Sequence, residues 1–465
     1  MTTYCGFHLE KVQQLQSALA DAPSAASALA ADIRNAAQRA EWISVAAAGM
    51  SPHQLGLDRT EPGGTTPGLT PIAEEAGGVA AEVQRRLDHL RSCRSLVADG
   101  FTFTGDEAFQ DLPPIDAAKL KKARTDLTGV LAKDGLERTL GLLGVLEEIH
   151  GLNAGETDAL VASLSDDQLD RWEEGMDLAR SIPFGLVPDD AFDELANDLF
   201  TRLGAEQRER VTGHLPCLQP PLDSDHTGHP LAELPPADID AATIEDINQG
   251  EIGDCWFLAS IAAEMTADPD FVKKHMVAND NGTYTVTFYK DGKPVQVTVD
   301  SSVPYDGSSA EFAHGDPSWG RNGPSWIAIY EKAFAQFRGG YGDTEGGYGD
   351  EGMEALTGRD ADRKDSDDLS FDEIARNLQD GTPMTAGSKE HTTGHLWWTK
   401  EQEKVEVGDD TVVSLHEYTV VGVDLGAHPP TVKLRNPWGS GGSVDEFITM
   451  TEDEFHDHFN ELSVG

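Results

Sequence analysis

Basic residues are scarce in this 465-residue chain: 35 Lys and Arg stand against 82 Asp and Glu, for a formal net charge of −47 at pH 7. A surface so acidic repels nucleic acid and anionic membranes, so neither is expected as a partner. Cysteine is scarce too. Cys5, Cys93, Cys217 and Cys255 form neither a CxxC pair nor the dense spacing of a disulfide scaffold, which points to reduced thiols. No apolar run reaches the length of a membrane span, and the N-terminus lacks the basic-then-apolar pattern of a signal peptide. The chain is therefore read as soluble and made without a cleavable leader, either cytoplasmic or exported by another route. At this length two to four domains can each bury a core without help from disulfides.

Tyrosine and tryptophan are nearly missing from the first half, since seven of the eight Tyr and six of the eight Trp follow position 250. In their place apolar residues recur at helical spacing, as in Leu9, Val12, Leu15, Leu19, in Val79, Val83, Leu87, Leu90 and in Phe192, Leu195, Leu199, Leu203. Ser165 with Gln168 reads as a capping box, and the Gly-, Pro- and Thr-rich residues 51–71 read as a loop. The spacing predicts an all-α region in two helical units, 1–100 and 101–213. Residues 214–238 are dense in proline and polar side chains, which predicts an exposed linker. Beyond it Thr283–Tyr289 and Val295–Val299 alternate around Asp291-Gly292, a β-hairpin pattern. Strand-like runs follow at 412–423, 431–434 and 447–450, and helical ones at 326–337 and 371–378. The second half is thus α+β.

A thiol is a useful nucleophile only when it ionises near neutral pH, which a helix N-terminus and a nearby imidazolium promote. In QGEIGDCWFLASIAAEM a glycine-bearing turn runs into an apolar segment, so Cys255 is predicted at the first turn of a buried helix. Gln249, six residues upstream, can aim its amide at an oxyanion beside the Cys255 N–H. A general base must be a histidine oriented by a third group. His416 lies in the alternating run LHEYTV, and Asn436 ends the next strand in RNPWG, so adjacent strands would bring the two into hydrogen-bond reach. Trp438 would roof the pair.

Together QGEIGDCWFLASI, HEYTVVGV and RNPWG resemble, in order, the three catalytic blocks of the calpain cysteine proteases. WIAIYEKAFA, EGMEALTG and DEFITM with Phe455 and Phe459 look like further landmarks of that family. The resemblance covers 239–465. It implies a papain-like protease core of two lobes, a helical one (about 239–365) carrying Cys255 and a β-barrel one (about 366–465) carrying His416 and Asn436. It also implies limited endoproteolysis of protein substrates, with Gln249 as oxyanion donor and Trp438 and Gly253 shielding the site or touching substrate. In the family calcium brings the lobes into register. Asp246 and Glu351 are the candidate calcium ligands here, but the loop after RNPWG is short, so the core is read as needing no cofactor. His391 and His395 lack the Glu of a zinc-protease motif and read as loop residues, His456-Asp457-His458 as a solvated helix face, and the acidic run 360–368 as a solvated loop.

A helical region joined through a proline-rich linker suggests a zymogen activated by cutting its own linker, whose Leu215, Leu218, Leu222, Leu231 and Leu234 would suit an apolar subsite. The alternative is an export or binding module on a secreted effector, and the Ala- and Asp-rich composition looks bacterial. Acyl transfer to amines by a similar Cys-His pair is a further alternative, against which Asn436 argues.

Overall fold

A computed structural model describes residues 115–181, 191–222, 230–305, 309–315, 326–390, 404–408, 410–440 and 444–465, together with Ser92, Leu96, Asp99 and Phe101. Cys5, Cys93, the two early heptad-like runs, the loop at 51–71, His391 and His395 lie outside the described residues.

The helical region runs through α1 (Ala117–Leu131), α2 (Gly135–His150), α3 (Ala154–Ala162), α4 (Asp166–Ser181), α5 (Ala191–Arg202) and α6 (Ala205–His214). Two of its helices start on side-chain caps. The Asp116 carboxylate accepts from the N–H groups of Ala118 and Lys119, and Asn153 and Glu156 form a capping box at α3. Buried Leu120, Ala123, Leu127 and Leu131 repeat at the spacing of one helix face. The chain forms two compact units, one of Met1–Ala132 with Gly151–Ser165, the other of Lys133–His150 with Asp166–Gly465. Helices α2, α4, α5 and α6 therefore belong with everything that follows them.

After the helices comes a mixed α/β part. It begins with β1 (Leu231–Glu233), α7 (Cys255–Ala267), α8 (Phe271–His275), β2 (Met276–Ala278), β3 (Tyr284–Lys290), β4 (Lys293–Val299), β5 (Ser302–Pro304), α9 (Trp326–Arg338) and α10 (Gly349–Thr357). Strands β2, β3 and β4 form one sheet in that order, and β3 and β4 turn at Asp291 and Gly292, whose φ angles of 52° and 69° suit the tight hairpin. The core here is aromatic: Phe257 stacks on Phe334 with ring centroids 3.6 Å apart, and Trp256, Phe288 and Tyr330 surround them.

There follow β6 (Asp362–Asp365), α11 (Phe371–Gln379), β7 (Met384–Ser388), β8 (Lys404–Val407), β9 (Asp410–Val413), β10 (Glu417–Asp424), β11 (Thr431–Arg435), β12 (Phe447–Thr451), α12 (Glu452–His458) and β13 (Phe459–Val464). Six of these strands make a sheet in the order β12-β11-β10-β7-β13-β6. Its core is a second, separate cluster of residues such as Met384, Tyr418, Val432, Leu434, Ile448 and Phe459.

Three expectations need correction. The linker is not exposed throughout: Leu215, Cys217, Leu218 and Gln219 are buried, because proline prevents regular structure without preventing packing. The acidic run is not merely a loop, since Asp362–Asp365 pairs with β13 as the sheet's edge strand, where charged side chains suit an edge. The run at 412–423 is broken at Leu415, whose φ of 50° separates β9 from β10.

Candidate active site

Cys255 is the first residue of α7 and is partly exposed, whereas Trp256 to Met265 behind it are buried. The Glu417 and Trp256 backbone N–H groups meet its thiol, while the rest of the helix is held by the aromatic core. Trp256 fixes the start of the helix by donating from its indole to the Thr344 carbonyl at 2.9 Å. A side chain at Gly347 would meet that indole at 2.5 Å, so only glycine lets the loop pass. Thr419 of β10 donates to the Ala259 carbonyl at 2.9 Å and ties the helix to the sheet.

On the sheet side His416 and Asn436 are buried, and His416 Nε2 lies 2.8 Å from Asn436 Oδ1. The same Oδ1 accepts the Trp438 backbone N–H at 3.0 Å, which fixes that atom as the oxygen and puts the imidazole hydrogen on Nε2. His416 Nδ1 is then the basic nitrogen, and it is buried without a hydrogen-bond partner. Trp438 is half-buried with its ring centroid 5.1 Å from that of His416. The buried Arg435 holds the approach to Asn436, donating to Glu446 at 3.0 Å and to the Ile247 carbonyl at 2.8 Å. Gly439, at φ 67°, leaves no room for a side chain against Asn248.

Burial pushes the Cys255 thiol up to about 12, against the pull of the Glu417 and Trp256 backbone N–H groups. Burial also takes the His416 imidazole down to about 4, against the pull of Asn436. Both are neutral at pH 7 in this arrangement. The Gln249 side chain donates to the Ile252 carbonyl at 2.6 Å, so one of its two amide hydrogens is already used, and its backbone N–H donates to Pro437 at 2.8 Å. Gly253 is exposed in the turn before Cys255, where its carbonyl accepts from Gly346 at 3.0 Å.

Residues 231–447 match the model of the calpain family cysteine proteases. This region is similar to the calpain-type cysteine protease domain. Similar proteins include calpain-13 of Rattus norvegicus, 29% identical over 211 residues that make up 43% of this chain and 30% of that protein. The calpain-2 catalytic subunit of Homo sapiens is 29% identical over 215 residues, 43% of this chain and 29% of its own length. Calpain-8 of Mus musculus is 28% identical over 227 residues, 45% and 30% of the two chains. The chain thus spans about 30% of the length of these curated relatives.

Within the matched region the candidate calcium ligands are not brought into a cluster. The Asp246 carboxylate caps its own turn at the Thr243 N–H (2.8 Å) and accepts the Trp326 indole at 3.1 Å, and Glu351 is exposed on the first turn of α10. Among the described residues no three His, Cys, Asp or Glu gather as a metal site, and no helix is long and apolar enough to cross a membrane.

Sequence reading missed three acids beside the site. Asp254, fully buried, has its carboxyl raised by burial to about 7 and faces Glu331, whose own burial holds it well above the carboxylate range. Two buried carboxyls in contact hold a proton between them. Glu331 in turn accepts the Ala313 N–H on both oxygens, at 2.9 and 3.0 Å. Glu417, next to His416, is buried, raised by that burial to about 8, and accepts from Thr385 at 2.5 Å. Glu331 was visible only as a charge inside the apolar run WIAIYEKAFA; a helix buried on every side leaves no period to mark it. Leu415, 64% exposed at its left-handed backbone, was hidden within an alternating pattern.

Proposed function

We propose that the chain is a cysteine endopeptidase in which Cys255 is the nucleophile, His416 the acid and base, Asn436 the orienting group and Gln249 an oxyanion donor. The observation that carries this reading is the His416 tautomer: with Nε2–H held by Asn436, the basic Nδ1 is left buried and unpartnered, one residue before Glu417, whose backbone N–H meets the thiol of Cys255 at a helix start. Substrate binding closes the site and lets Cys255 pass its proton to Nδ1. The thiolate adds to the peptide carbonyl, and the oxyanion accepts from the Cys255 N–H and from the Gln249 amide. The imidazolium then protonates the leaving amine, and water activated by the neutral imidazole hydrolyses the thioester. Trp438 and Gly253 border the cleft and limit the access of water.

On this reading 239–465 form a papain-like core of two lobes, consistent with the two separate clusters of core residues. The engagement of Asp246 with Thr243 and Trp326 favours a core that works without calcium. A zymogen cut within its own linker is kept as part of the proposal, with one change. Buried Leu215 and Leu218 are out of reach, and exposed Leu231 leaves the span from Leu222 to Leu231 as the place to cut.

Intact-mass analysis of the purified chain and its Cys255→Ala variant, with and without chelator, tests this. Cutting of the Cys255 form alone, unaffected by chelator, together with hydrolysis of a leucine-containing peptide, is expected. Peptide hydrolysis that survives Cys255→Ala would overturn the assignment of the nucleophile.

A further inference from the structure

The family match begins at residue 231, yet the residues before it are bonded into the protease domain. Helix α5 buries Leu195, Leu199 and Phe200, and among them stands Asn197. Its side chain faces the free edge of β4, the outer strand of the β2-β3-β4 sheet: Nδ2 donates to the Gln296 carbonyl at 2.9 Å, and Oδ1 accepts the Thr298 N–H at 2.5 Å. A primary amide carries one donor and one acceptor side by side, so Asn197 fills two ladder positions as a neighbouring strand would.

The attachment is reciprocal. Asn281, in the turn between β2 and β3, donates to the carbonyls of Phe200 (2.7 Å) and Leu203 (2.9 Å) at the end of α5, where carbonyls run short of helical donors. Arg208 of α6 donates to the Gly282 carbonyl at 2.9 Å. Below them the buried pair Lys332–Asp300, 2.7 Å apart, uses one carboxylate oxygen; the other accepts from Gln219 at 2.8 Å and from Thr212 at 3.1 Å. Taking Thr212 and Gln219 away would leave half of a buried carboxylate without its donors, a costly state.

We infer that residues 191–219 are a permanent clamp on the protease domain, so that a cut between Leu222 and Leu231 yields a two-piece protein held together by this surface. The clamp covers the outer edge of β4 and the Asp300 carboxylate, and its occupant is this chain's own helical stretch. Activation by linker cleavage, if the proposed self-cutting occurs, then works by freeing the linker and not by releasing α5 and α6. The inference itself does not depend on which protease cuts.

The test uses the full chain carrying Cys255→Ala and a recognition sequence for a site-specific protease placed at 223–229. After cutting, size-exclusion chromatography without denaturant is expected to return both pieces in one peak, with a single unfolding transition. Adding Asn197→Asp, which turns a donor into an acceptor facing the Gln296 carbonyl, is expected to speed separation of the cut pieces at least about tenfold. Pieces that part at once, with the C-terminal one keeping the melting temperature of the uncut chain, would overturn the inference. So would an Asn197→Asp chain whose pieces stay together as firmly as before. Neither readout uses peptide hydrolysis, so a failed protease assignment would leave this result intact.

Discussion

The two sides of the site are built from different distances along the chain. On the sheet side His416, Asn436 and Trp438 lie within 23 residues of sequence, and β10 and β11 pair directly, with Thr419 opposite Arg435, so that register alone brings the ring to the amide. On the helix side Cys255 and Gln249 depend on Thr344, Glu331 and Ala313, which arrive from loops and from α9. A site assembled by adjacent strands is nearly complete as folded, whereas one assembled by distant segments depends on many separate contacts.

That contrast sets the order of effects. Loss of the proposed base is expected to be the largest: His416→Ala should lower kcat/KM for a peptide by roughly 10⁴-fold or more. Gln249→Ala should cost less, about 10²-fold in kcat, because the Cys255 N–H remains as a second donor. Steady-state kinetics on one peptide orders the pair, and equal losses would mean that Gln249 holds the Cys255 turn in place instead of meeting the oxyanion.

Glu417 is raised to about 8 from 4.5, so between those values the folded state holds a proton that the unfolded state has lost. Its stabilising contribution is full below pH 4.5 and fades as pH rises through 8. Asp254, raised to about 7, acts in the same sense. His416, lowered to about 4, acts oppositely, costing stability as pH falls from 6.5 towards 4. Glu417→Gln keeps an acceptor for Thr385 and cannot ionise. Urea unfolding at pH 5 and pH 8 should show the variant gaining on the parent by a few kcal/mol at the higher pH, and parallel curves would show that Glu417 is ionised in the fold.

The same contrast explains what could be read from sequence. Cys255, His416 and Asn436 each stand at an element boundary that glycine, alternation or RNPWG marks, and the hairpin at Asp291-Gly292 follows from turn chemistry alone. The aromatic bias of the second half marks its core. What stayed illegible depends on tertiary partners: Asp254 and Glu331 meet across 77 residues, and Asn197 reaches Thr298 of β4 across 101. A boundary placed at the prolines missed that Leu215 and Leu218 are buried, since composition records what blocks a helix and not what a segment packs against.

The smallest expected effect belongs to Leu415, among the described residues the bulky one held in a left-handed backbone beside the proposed base. Leu415 has φ 50° and 64% of its surface exposed, so it bears conformational strain while burying little. Leucine in that region costs about 1–2 kcal/mol, and glycine there removes the cost while adding about 0.5–1 kcal/mol of chain entropy to the unfolded state. Leu415→Gly should therefore raise stability by about 0.5–1 kcal/mol, a shift of a degree or two in Tm for a chain of this size. Strain kept beside a base is expected where the side chain serves the reaction, so the stabilised variant should also bind an apolar peptide more weakly, seen as a higher KM with kcat little changed. Higher stability with unchanged KM would make Leu415 a tolerated irregularity of the β9–β10 connection, and lower stability would show that its side chain supports the turn that delivers His416.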